Sequence, residues 1–195
     1  MEPLPWYRIA APIVFVAMLA GICLWKNLPR FRAMLLGIAM LSLYGMVQDQ
    51  VSVRLCPEYF TIYHNPIPGL TEPTLLGIAW GFLGAWWGGA LLGYSAGICA
   101  TAGKSPPWPV SRLIVPMLVV IAFVAAVAAI CGFAVQTYLQ GFAVTVNAES
   151  AEAIPLERRR NVVTVACYHV AAYASAILGS VVLCLWIARK RSMER

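Results

Sequence analysis

Five long stretches of this chain are apolar on every side instead of along one stripe. They cover residues 9–25, 33–47, 73–100, 110–135 and 162–188, and Arg112 is the only Lys, Arg, Asp or Glu inside them. A helix that is hydrophobic all round is surrounded by an apolar medium, and about 20 residues suffice to cross a bilayer core. The last three stretches reach that length alone; the first two reach it with their flanks. The pattern predicts an all-α transmembrane helical bundle of five spans, or four if residues 9–25 do not cross.

The first stretch can also be read as a signal peptide. Its positive lead is reduced to Arg8, with Glu2 opposing it, and Ala20-Gly21-Ile22-Cys23 resembles a lipoprotein cleavage box only with a bulky residue before the cysteine. A retained helix is expected instead.

Composition sharpens the picture. Charged residues make up 11% of the chain, against about a quarter in soluble domains, too few for a water-facing surface. What lies between the spans is too small for a separate soluble domain, so residues 1–195 read as a single membrane domain. The net charge of +6 forms no patch of the kind nucleic acid requires; the bilayer is the expected partner. Lys26, Arg30, Arg32, Lys104, Arg112, Arg189, Lys190, Arg191 and Arg195 fall on one side of a five-span layout, and Arg8, Arg54 and Arg158–Arg160 on the other. The positive-inside rule then predicts a multi-pass cell-membrane protein with a cytoplasmic C-terminus and an outer N-terminus. Six cysteines without a CxxC pair argue against a disulfide framework or a cysteine-type zinc site.

In the third span Gly77, Gly81, Ala85, Gly89, Gly93 and Gly97 recur every fourth residue, with Gly84 and Gly88 beside them. Residues four apart share a helix face, so this stripe lets another backbone approach closely. Packing within the chain is expected ahead of homo-oligomerisation. Trp80, Trp86 and Trp87 lie mid-span and are expected to fill space, not to form an interfacial belt. Pro116 marks or kinks the start of the fourth span.

The segment 48–72 reads as a structured outer loop. Residues 51–55 alternate apolar and polar, and residues 59–63 are rich in β-formers, which predicts a hairpin or extended segments. Pro73 suits the first turn of the next helix. Residues 149–160 read as a solvated connector of mixed charge.

Candidate chemistry gathers on the outer side: Asp49, Arg54, Glu58, His64 and His169. His169 lies about 12 Å below the outer end of its span, and an ionisable group inside a membrane is a functional candidate. Hydrogen bonding to Tyr44, Tyr138 or Gln136 is the structural alternative. His64 is otherwise an exposed loop residue, and Arg54 is expected to pair with Glu58 or Asp49. The two histidines raise a metal site or haem ligation, or a proton relay or quinone-like contact at His169, but no HExxH, CxxCH or helically spaced histidine pair supports a defined metal or cofactor.

Residues 44–64, with Gln48-Asp49-Gln50, Arg54 and Pro57-Glu58-Tyr59-Phe60-Thr61, resemble a segment of bacterial multi-pass membrane proteins that carry no assigned activity. The resemblance covers about a tenth of the chain and implies a bacterial membrane setting. The expectation from sequence is a non-enzymatic accessory or assembly subunit presenting the outer loop to a membrane-protein partner. A metal- or haem-binding redox or transport component using His64 and His169 comes second, and a small-solute transporter third.

Overall fold

The computed structural model describes residues 2–141 and 153–194, and within them the chain is helical with no strand. The helices are α1 (Trp6–Trp25), α2 (Pro29–Leu55), the short α3 (Pro57–Ile62), α4 (Pro73–Thr101), α5 (Ile114–Tyr138) and α6 (Leu156–Met193); a 3-10 turn, Val110–Leu113, leads into α5. Five stretches, α1, α2, α4, α5 with its leading turn, and α6, are long and apolar enough to cross a membrane. The chain thus has the architecture of a multi-pass integral membrane protein. With 38 residues, α6 is about 57 Å long and outruns the hydrocarbon core.

The tightest seam joins α2 to α4, and glycine makes it. A Cβ added at Gly81 would lie 2.5 Å from Met46 Cα; at Gly89, 2.7 Å from Ile38 Cα; at Gly93, 2.7 Å from Met34 Cα. Each obstacle is backbone, which cannot turn aside. The four-residue stripe is therefore filled within the chain by α2, which offers Ala33, Gly37 and Gly45 in return. Gly84 points elsewhere, toward Tyr173 of α6, while Gly88 flanks the seam and faces the Leu41 side chain of α2. Of the tryptophans, Trp86 meets Phe15 of α1 and Trp80 meets His64, while Trp87 stacks on Tyr173 of α6 but is exposed and fills no interior space.

A second core joins α4, α5 and α6 through Leu92, Ala96, Met117, Val124, Leu183 and Ile187. At the end of the bundle beside it, Arg191 is buried and donates to the carbonyls of Cys99 at 2.8 Å and Ser105 at 2.6 Å, and also to those of Ala102 and Pro106. Those oxygens include the orphan carbonyls at the C-terminal end of α4, where a cation is favoured. This residue reads in sequence as a topology charge; in the structure it is a clasp. At the other end of α4, Glu72 caps the helix by accepting from the Thr74 and Leu75 amides at 3.0 and 2.7 Å, ahead of Pro73 in the first turn.

Two expectations are corrected. Residues 51–55 and 59–62 form no hairpin or extended segment; they belong to α2 and α3. Val53, Cys56 and Phe60 are fully buried, and their spacing of three and four is helical. A helix also closes its own backbone hydrogen bonds near an apolar medium, which an isolated hairpin does not. Arg158–Arg160 belong to the first turns of α6, not to a connector; Glu149 and Glu152 lie outside the described residues.

The seam makes a stability test. Gly89→Ala is expected to lose about 1–3 kcal/mol, the cost of overpacking a tight site. Gly21→Ala, with nothing within 4 Å of the added carbon, is expected to stay within about 0.5 kcal/mol of wild type. Thermal unfolding in detergent reads both, and equal melting temperatures for the two variants would refute the seam.

Candidate functional site

The extension of α2 to Leu55 carries Asp49 to the face shared with α6, and there it meets His169. His169 Nε2 lies 3.1 Å from Asp49 Oδ1, and the two side chains are 16% and 9% exposed. With the carboxylate ionised, Nε2–H donates to it. The partner of His169 is thus an acid on another helix, not Tyr44, Tyr138 or Gln136. Tyr44 donates to Gln48, while Gln136 joins Asn161 and Thr164.

Above the pair, α3 folds inward and brings an aromatic cover. The Tyr59 ring is 5.1 Å from the rings of both His64 and His169, centroid to centroid, and Phe60 stacks on His64 at 5.8 Å. Trp80 meets His64 edge to face at 4.4 Å. His64 is half-buried, not an exposed loop residue, because the turn after α3 returns its Nδ1–H to the Tyr59 carbonyl at 2.9 Å. In the neutral ring this leaves Nε2 as an acceptor. Burial pushes the His64 imidazole below its ordinary pKa; the Tyr59 carbonyl opposes this, His169 adds to it, and Asp49 opposes it.

Asp49, His64 and His169 therefore converge, while Arg54 and Glu58 do not join them. Arg54 lies five residues beyond Asp49, about 140° round the helix, and faces the start of α4. It donates to the Gln50 backbone and side-chain oxygens at 2.8 Å and to Thr74 Oγ1 at 3.0 Å. Glu58 turns the other way, to Arg158 at 2.8 Å. The expected pairing of Arg54 with Glu58 or Asp49 is replaced by these contacts.

Below the pair lies a cavity of about 520 Å³. Its polar end is formed by Tyr44, Gln48, Asp49, His64 and His169; its length by Leu41, Gly84, Gly88, Val124, Ala176 and Ser180. It opens sideways between α4 and α6, where the lining residues Leu91, Ile177 and Val181 are more than half exposed. Tyr173 braces the opening by donating to the Gly84 carbonyl at 3.3 Å. Volumes of about 300–1,000 Å³ accommodate small-molecule ligands. Tyr59, Trp80 and Tyr173 are not singled out by sequence as members of this group, since only the packing of α3, α4 and α6 makes them neighbours.

Among the described residues no group of three His, Cys, Asp or Glu side chains is placed to hold a metal ion, and the Nε2 of His169 is engaged by Asp49. What the arrangement offers is a buried acid–imidazole pair that accepts and donates hydrogen bonds at one end of an apolar hollow. No family model matches the chain, and neither a curated protein nor a solved structure shows significant similarity to it.

The position of His64 has a pH consequence. The docked segment holds a ring that resists protonation; released, the ring returns to its ordinary value of 6.5. The undocked state then binds more protons, so docking is strongest above that value and weakens as pH falls through it. Hydrogen exchange of residues 57–66, corrected for its intrinsic rate, is expected to rise between about pH 7.5 and about pH 5.5, across the histidine range. His64→Phe should remove the rise. A wild-type profile that follows intrinsic chemistry alone would contradict the assignment.

Proposed function

We propose that this membrane protein binds an amphipathic molecule that reaches it through the bilayer, holding the polar head at Asp49 and His169 and the apolar tail along the groove between α4 and α6. One observation carries the reading: the only acid–histidine pair among the described residues closes one end of an apolar cavity whose side is open at the level of the spans. In hydrocarbon a paired acid and imidazole are costly to bury and are retained where they meet a ligand or a proton. An apolar hollow with a few convergent polar groups is the general form of a ligand site.

The other readings rest on less. An accessory subunit would present residues 48–72 to a partner, yet Val53, Cys56 and Phe60 of that segment are turned into the bundle. Metal or haem ligation at His169 Nε2 would first have to displace Asp49. Transport has one specific support, since a second hollow shares His64 and Trp80 with the first. The charge count favours a cytoplasmic C-terminus and an outer N-terminus, and the resemblance of residues 44–64 favours a bacterial cell membrane. Arg158–Arg160 run against that count, since acids such as Glu58 weigh little in the positive-inside rule.

The test uses the full chain in nanodiscs titrated with a decyl-substituted benzoquinone, read by quenching of tryptophan fluorescence. Saturable quenching is expected, with the dissociation constant raised about tenfold in Asp49→Asn or His169→Ala, the equivalent of one hydrogen bond to a polar head at about 1.4 kcal/mol. Gly88→Phe, which fills the groove, should abolish saturation. Quenching that rises linearly with membrane partitioning, identically in all variants, would refute the proposal.

A further inference from the structure

Alongside the groove, a second hollow of about 350 Å³ separates the first half of α1 from α4. The lower half of α1 is packed: Leu19 and Cys23 are buried against Ile38 and Ala90. Higher up, where Pro12 is still buried and Phe15 meets Trp86, the hollow opens beside Arg8 and Pro12. There the crevice is roofed by two links between the chain start and the segment before α4, Leu4 N–H to the Pro66 carbonyl at 2.8 Å and Asn65 Nδ2–H to the Glu2 carbonyl at 3.0 Å.

The lining changes character with depth. Arg8 and Asn65 stand at the rim, His64 and Trp80 form one wall, and Pro12, Leu83 and Trp86 lie below. Leu83 and Trp86 are ten and thirteen residues beyond Pro73, so about 15 and 20 Å along α4, and Pro12 is about 9 Å along α1 from Trp6. Below a polar rim the hollow is thus walled by the apolar Pro12, Leu83 and Trp86 beside the mixed faces of His64 and Trp80. Arg8 is exposed, and its guanidinium makes no ion pair or hydrogen bond with any described residue. By contrast Arg54, Arg158, Arg159 and Arg191 all have protein partners. Trp6 and Tyr7, largely exposed beside it, are the residue types that sit at the headgroup level.

We propose that this crevice is a binding site for one glycerophospholipid, with its phosphodiester on the Arg8 guanidinium and an acyl chain descending past Pro12 and Leu83 to Trp86. Guanidinium and phosphate match as charge and as fork-shaped hydrogen-bond geometry. Glu2, exposed at the same rim, sets the polarity of the head: it disfavours a second negative charge and favours an ammonium group beyond the phosphate. The crevice shares the walls His64, Trp80 and Leu83 with the groove but is not lined by Asp49 or His169, and the proposal stands without the reading given for that pair.

Native mass spectrometry of the delipidated full-length chain tests it with dioleoyl-phosphatidylethanolamine, dioleoylglycerol and inorganic phosphate as separate probes. The phospholipid is expected to give one saturable adduct. Arg8→Gln should weaken it about tenfold, the loss of one charge-assisted contact, while Arg8→Lys keeps most of it. Pro12→Phe, which places a ring in the crevice, should block the adduct with Arg8 intact. Arg30→Gln, at the far end of the bundle, should leave it unchanged. Circular dichroism confirms that each variant keeps its helices, and if Pro12→Phe does not, the Arg8 pair decides alone. An equal adduct in Arg8→Gln, or equal binding of dioleoylglycerol, would overturn the proposal. Arg8-dependent binding of inorganic phosphate without a lipid adduct would overturn the lipid assignment in favour of a free-phosphate site.

Discussion

Where α2 and α4 cross, glycine removes the side chains that ordinarily hold two helices about 8–10 Å apart. The backbones touch instead, and the seam runs from Arg30 and Gly97 at one end to Asp49 and Gly77 at the other. That contact fixes the rotation of both helices. With it set, Asp49 cannot face α4 and is left on the side toward α6, while Trp80 and Gly84 of α4 turn to the same side. The polar pair, its aromatic cover and the cavity beneath follow from one close approach. Lipid makes the seam possible, because a helix this rich in glycine is poor in water and is kept intact where the backbone has no other partner.

The two ends of the bundle use charge differently. At one end Arg191 is spent on backbone carbonyls and ties α6 to the exit of α4. At the other, Arg54 and Arg158 hold the cap over the spans, and Asp49 and His169 are left to each other. An acid–imidazole pair that close to hydrocarbon contributes little to stability by itself, since desolvation offsets much of the attraction. A ligand head is the account of it that the adjoining cavity supports.

Much of the fold is legible in the sequence, because lipid imposes one rule on every span: backbone groups satisfied within a helix, apolar residues around it. The spans follow from that rule; the close approach at the glycine stripe follows from its four-residue spacing, and the first-turn role of Pro73 from the geometry of proline. The capping segment is where the reading fails. Residues 51–55 alternate like a strand, and only the burial of Val53, Cys56 and Phe60 reveals a helical period that a break at Cys56-Pro57 conceals. The candidate residues are legible one at a time and not as a set. His169 stands out as an ionisable group in a span, but its choice of Asp49 over Tyr44 or Gln136 depends on helix rotation, which the glycine seam sets and which no local pattern records. Arg54 and Glu58 look equivalent to Asp49 in sequence; a difference of 140° round a helix and a turn at Pro57 send them to other partners.

The central claim, that a membrane-borne amphiphile enters between α4 and α6 with its head at Asp49 and His169, is tested most directly by photo-crosslinking. A decyl-chain amphiphile with a hydrogen-bonding head and a diazirine in its tail would be activated with the chain in a bilayer, and the labelled peptides mapped. The account expects labelling concentrated on residues 84–95 of α4 and 172–181 of α6, competed by the unlabelled amphiphile. Labelling spread evenly over the lipid-facing surface, with Val115, Val119 and Phe133 of α5 marked as strongly and without competition, would contradict it.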